Sequence, residues 1–150
     1  MGNAEHLIER SDTLKHMGLT VVEQTANVLK IVMRQDGNRN HLGGIYAGAI
    51  FSLAECPFGI MCINKFGTHE IVPVIGEMTI RFLAPANSDL LVELTVSDSE
   101  WEDIDNETKK HGKFKIVKEI EVKDNKGRVN TIVKATYFTL DVRNKNQSGI

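Results

Sequence analysis

Residues 38–59, NRNHLGGIYAGAIFSLAECPFG, run from a polar, glycine-bearing loop into the most apolar segment of the chain. Between Gly44 and Asn64 there is one charged residue, Glu55. Burial disfavours a charged carboxylate, so a lone Glu in apolar surroundings has its pKa raised and becomes a workable general base near neutrality. The small residues Ala47, Gly48 and Ala49 lie about two helical turns before it. A helix starting there leaves its first N–H groups without intrahelical partners and with a partial positive charge of about half a unit. The Ala47 N–H, with Gly48 next, would then hold a developing oxyanion, commonly worth about 3–4 kcal/mol per well-placed donor. Side chains this small also let a ligand approach the backbone closely. The ordinary alternative for Glu55 is a structural carboxylate paired with Arg81 or Lys65, or one leaning to a solvated edge. Cys56 adjoins Glu55, but adjacent helix positions face different ways, so a thiol served by that base is a poor reading. Cys56 and Cys62 point about 240° apart around a helix and cannot bridge there. Neither a Cys-x-x-Cys pair nor a Cys/His metal spacing occurs.

These residues need elements to position them. The length and the Ala, Leu and Ile content of residues 45–66 predict one long helix, with a kink at Pro57, which removes a helical hydrogen bond and clashes with the Leu53 carbonyl. Residues 4–16 read as a short amphipathic helix with Leu7, Ile8 and Leu14 on one side, ended by Gly18. Residues 19–35 are β-leaning, broken near Ala26–Asn27 into two strands or one bent ribbon. After Gly67 alternation predicts four strands, at about 72–82, 90–96, 114–122 and 129–141, with DNKG at 124–127 a tight turn carrying Gly127 in the left-handed region. Residues 97–112 read as a connection longer than a tight hairpin needs, with Trp101 capping an edge or a pocket rim. A helix, strands, a long apolar helix and a run of antiparallel strands give an α+β class with a helix packed on the sheet.

At 150 residues the chain fits one domain and buries roughly 70% of its unfolded surface, enough for a core without a disulfide or metal staple. We take 1–150 as a single domain, with an N-terminal helix in 1–17 and a tail over 142–150. A net charge of −2 argues against a nucleic-acid binder. The N-terminal sequence has no secretory signal pattern, and position 6 is His, which excludes myristoylation; the expected location is cytoplasmic. A membrane-spanning reading of 45–63 would put Glu55 at mid-bilayer, at a cost of about 2.5–3.5 kcal/mol. It would also leave four amphipathic strands with nothing to cover, so a buried helix is the better reading.

The stretch NHLGGIYAGAIFSLAE, together with EMTIRFLAPA at 77–86, resembles hotdog-fold acyl-CoA thioesterases of the PaaI-like (YiiD-like/DUF4442-like) group, over roughly residues 15–140. The resemblance implies a long central helix wrapped by a curved antiparallel sheet. It also implies homodimers paired along their sheets, often pairing again as tetramers, with each active site between two subunits. It makes Glu55 the residue that activates water or attacks the thioester, and the backbone N–H after the family's His position the oxyanion donor. Asn40 would help hold the site or the water. Tyr46 stands where the family carries His, and a phenol can still donate a hydrogen bond. Ile75 stands where some members carry Ser or Thr; with Gly76 and Glu77 it is placed beside the substrate. The substrate is an acyl-CoA, fatty or aryl; coenzyme A is part of it, and no other cofactor or metal is implied. Tyr46 and Ile75 favour an alternative, a non-catalytic hotdog protein that binds acyl groups or coenzyme A. A hydratase of the same fold needs a His paired with a carboxylate, and none of the five histidines falls on the long helix.

Charge is unevenly placed. Residues 109–134 hold nine Lys or Arg against three acids, and 98–107 hold six acids and no base. Either the basic strands meet the phosphates of coenzyme A, or a solvated hairpin is balanced by its acidic neighbour.

Overall fold

The computed structural model describes residues 2–144; of the expected tail, residues 145–150 lie outside the described part. The chain forms α1 (Ala4–Glu9), α2 (Asp12–His16), β1 (Leu19–Gln24), β2 (Val28–Met33), α3 (Ala47–Phe66), β3 (Ile71–Phe82), β4 (Leu90–Thr95), α4 (Asp98–His111), β5 (Lys113–Lys123) and β6 (Val129–Asp141). The strands make one antiparallel sheet in the order β1-β2-β4-β5-β6-β3. The α3 helix lies on one face. Its Leu53, Ala54, Phe58, Met61 and Cys62 pack with Leu29, Ile31, Met33, Val92, Ile120, Val133 and Tyr137 of the sheet, all buried. By length and composition α3 could cross a membrane, but half of its apolar window is buried inside this fold. The mixed architecture is the one expected, a long central helix against an antiparallel sheet.

Two expectations are corrected. The N-terminal helix is two short ones, because Ser11 interrupts it and caps the second by accepting the Leu14 N–H. The connection at 98–111 is a 14-residue helix, α4. Ser97 and Glu100 form a reciprocal capping box, acids fill the first turn, Lys109, Lys110 and His111 fill the last, and Gly112 closes it at φ 79°. Trp101, Ile104 and Thr108 give it a buried stripe. Trp101 is therefore a core residue rather than a rim. Its ring packs on Phe58 and edge-on to Phe66, and its Nε1–H donates to the Ala26 carbonyl at 3.0 Å.

The helix sits where the sheet opens. Between β4 and β5 only Leu91–Lys123 and Val92–Val122 are in register. Beyond them Lys118 reaches across from β5 to the Thr95 carbonyl at 2.9 Å and to Glu100 at 2.7 Å. Lys118–Glu100 and Lys109–Asp105 tie the basic run to the acidic one. The DNKG turn is as expected, with Gly127 at φ 76° and its N–H donating to the Asp124 carbonyl.

Strand β3, 12 residues long, is an outer strand with exposed Val74 and Ile75. Its pairing with β6 slips at Gly76. A Cβ at Gly76 would lie 2.5 Å from Phe138 Cε2, so only glycine fits under that ring.

Candidate active site

The site begins in the loop before α3. Asn38 is buried, and its side-chain amide donates to the Met17 and Arg34 carbonyls while its own carbonyl accepts the Tyr46 N–H. The Ile45 N–H donates to the Ala86 carbonyl at 2.8 Å, tying the loop to the segment that follows β3. Gly44 permits this approach, because a Cβ there would lie 3.3 Å from the Ala86 oxygen. That segment is held from below by Asn130, which donates to the Ala84 carbonyl. Sequence reasoning passed over Asn38 and Asn130, since a buried Asn has the same composition signature as a loop Asn.

The result is a cavity of about 400 Å³ at the start of α3, lined by Asn40, Leu42, Ile45, Ala47, Ile50 and Phe82, with residues 84–87 completing it. No charged side chain among the described residues lines it. Tyr46 is the N-cap but makes no side-chain cap bond, and no acid lies in the first turn. The Ala49 and Ile50 N–H groups turn back to the Tyr46 carbonyl. Those of Ala47 and Gly48 meet no acceptor among the described residues. These are the donors the sequence singles out, and Ala47 lines the cavity. The Tyr46 ring, 61% exposed, lies over Gly48, where a Cβ would come 2.5 Å from Cε1. Asn40 lines the cavity too, but its side-chain oxygen accepts the Leu42 N–H at 2.9 Å. What it can offer a ligand is its NH₂ group.

Glu55 lies two turns further along α3, roughly 12 Å up the axis from Ala47, and outside this cavity. It is half-buried on the helix stripe that also carries Gly48, Phe51 and Gly59, with the packed Leu53 on the opposite side. It forms no ion pair among the described residues, and burial alone pushes its carboxyl above the usual range. The pairing with Arg81 or Lys65 does not form. Arg81 sits opposite exposed Ile132 on the outer face, and Lys65 is exposed in the last turn of α3.

The strand residues are divided. Ile75 is in register with Tyr137, so it points to the helix side of the sheet, where the Tyr137 hydroxyl donates to the Glu55 carbonyl at 2.8 Å. After the slip at Gly76, Glu77 faces Thr136 on the other side, with Thr79, Lys115 and Lys134. The bulge thus puts Glu77 on the opposite face of the sheet from Ile75. Tyr137 was not singled out in the sequence. It reads there as one more alternating strand residue. Cys56 and Cys62 are free and buried, with their thiols raised by burial, that of Cys62 to about 12, so neither is a ready nucleophile.

A family model described as Domain of unknown function (DUF4442) matches residues 16–139. The chain belongs to this family. A Pseudomonas aeruginosa protein of unknown function, called a probable thioesterase, is 31% identical. It superposes with a TM-score of 0.85 over 92% of this chain and 93% of that one. A thioesterase from Haemophilus influenzae shares the fold at 13% identity, with a TM-score of 0.72 over 95% and 93% of the two chains. The E. coli PaaI protein of the phenylacetic acid degradation operon does so at 19% identity, with a TM-score of 0.67 over 93% and 91%. The DUF4442 chain therefore has the hotdog fold. No curated protein matches its sequence.

Proposed function

We propose that this DUF4442 protein is a thioester hydrolase acting on acyl-CoA. The observation that carries the reading is the uncapped start of α3 opening into an uncharged cavity, with an unpaired, half-buried carboxylate on the same helix. The thioester oxygen would accept the Ala47 N–H, with Gly48 beside it, so that charge developing on that oxygen meets fixed donors at a positive helix end. The acyl group, fatty or aryl, suits a cavity with no charged lining. Glu55 would take a proton from water as the water attacks the carbonyl carbon. The C–S bond then breaks, and the departing sulfur takes the proton from Glu55, so that coenzyme A leaves as the thiol and Glu55 is again a carboxylate. Attack by the carboxylate itself, through an anhydride that water later opens, uses the same residues.

The roughly 12 Å between Ala47 and Glu55 within one chain favours a site shared between two subunits. The outer strand β3 supports that arrangement, because it offers a 12-residue backbone edge that no described strand pairs with, and exposed Val74 and Ile75. A homodimer joined there would bring a second α3 toward the first. The same separation is the observation that favours the second reading, an acyl-binding protein without turnover.

Thiol release from acetyl- to palmitoyl-CoA and aryl-CoAs tests the two. Turnover of one class supports hydrolysis. Tight binding by calorimetry with no thiol released on any substrate would establish the second reading instead.

A further inference from the structure

We propose that Tyr137 is a positioning residue for Glu55, acting through the backbone of α3; this rests on the reading of Glu55 as the base. The turn that carries Glu55 lacks one helical rung. Pro57 has no N–H, so the Leu53 carbonyl, four residues earlier, loses its helical donor. The Cys56 thiol takes that place, with Sγ 3.8 Å from the Leu53 oxygen. An S–H is a weak donor, and the rung it replaces is the one that spans Glu55. Support comes from outside the helix, in the bond from the Tyr137 hydroxyl to the Glu55 carbonyl at 2.8 Å. A carbonyl has two lone pairs, so it accepts this bond without giving up its helical one.

The tyrosine is itself firmly held. It is 1% exposed, its ring packs against Phe58 with centroids 4.5 Å apart, and Ile75 and Ile116 flank it in register. Its strand, β6, is paired on both sides. Glu55 is thus anchored to the sheet by its main chain rather than by its carboxylate, which leaves both carboxylate oxygens free for a water or a thioester. Pro57 loosens the turn, and Tyr137 sets where it sits.

The test compares Tyr137→Phe with Trp101→Phe, which also deletes one part-buried hydrogen bond but at the far side of Phe58. Thiol-release kinetics on acyl-CoA are run beside a ¹³C NMR titration of the Glu55 carboxyl. The groups whose charge couples to Glu55 are the Cys56 thiol and Tyr137 itself. Tyr137→Phe is expected to lower kcat about tenfold with KM little changed, the response to a displaced catalytic group. It should also let the Glu55 carboxyl relax toward its ordinary value. Trp101→Phe should leave both readings at wild type. Adding Pro57→Ala to Tyr137→Phe restores the N–H to Leu53 and should recover part of the loss. A Tyr137→Phe protein with wild-type kcat and Glu55 titration, or a Trp101→Phe protein that loses both equally, overturns the proposal. If the wild type releases no thiol, the hydrolase reading fails, while the titration still decides whether Tyr137 holds Glu55.

Discussion

Replacing Trp101 with Ala tests whether α4 closes the opening between β4 and β5. The indole is 3% exposed, packed on Phe58 at 6.4 Å and on Phe66 at 5.8 Å between ring centroids, and bonded to the Ala26 carbonyl. Burying an aromatic side chain of about 150–250 Å² at about 25 cal/mol per Å² is worth about 4–6 kcal/mol. Core truncations of Trp and Phe cost about 3–5 kcal/mol, so the two routes agree. Against a domain stability of about 5–15 kcal/mol that is a fifth or more of the total. At about 2–4 °C per kcal/mol for a domain of this size, Tm should fall by about 6–20 °C. Trp101→Phe keeps most of the burial and loses the bond to the carbonyl of exposed Ala26, at a cost of about 0.5–1.5 kcal/mol. Urea unfolding read by far-UV circular dichroism, beside calorimetry, gives both numbers. A Trp101→Ala protein that unfolds within about 2 °C of wild type, less than the effect of 1 kcal/mol, would refute the argument. It would mean that α4 rests on the sheet without plugging it.

Glu55 should weaken the fold at neutral pH. Burial raises its folded pKa above the unfolded value, so the native state holds the proton more tightly. The stability this gives is complete below the unfolded value of about 4.3 and is lost as pH rises through the raised folded value. Glu55→Gln should therefore be more stable than wild type at pH 7 and equal to it near pH 4; a destabilised Gln variant at pH 7 would show that the carboxylate has a partner. The shared edge makes a separate prediction. Wild type should be a dimer or larger by light scattering at micromolar concentration, and Val74→Arg on β3 should shift it toward monomer; a monomeric wild type removes the shared site.

Much of this was legible in the sequence because single-chain periodicity dictates it. The span of α3 follows from its length and apolar content, the strands from alternation, and Gly127 from its turn. The α4 helix was less plain because eight of its 14 residues are charged, which reads as solvated loop. The signals were present all the same, in the Ser97–Glu100 capping box, the spacing of Trp101, Ile104 and Thr108, and Gly112 just beyond the end. The site was half legible. Small residues at a helix start and a lone carboxylate are local facts. Which of Asn38 and Asn40 organises the loop depends on carbonyls of Met17 and Arg34, and no local pattern encodes those. The bulge at Gly76 turns Glu77 to the far face, and one-residue slips of that kind come from packing under Phe138. Tyr137 acquires its role only because Pro57 disturbs a turn 80 residues earlier.

The most direct measurement is kcat for acyl-CoA hydrolysis by Glu55→Gln beside wild type, on the best substrate and with substrate binding checked by KM. Loss of a general base commonly removes about 10²–10⁴ of rate, so kcat should fall at least about a hundredfold with KM retained. A Glu55→Gln enzyme that releases thiol at the wild-type rate would contradict it.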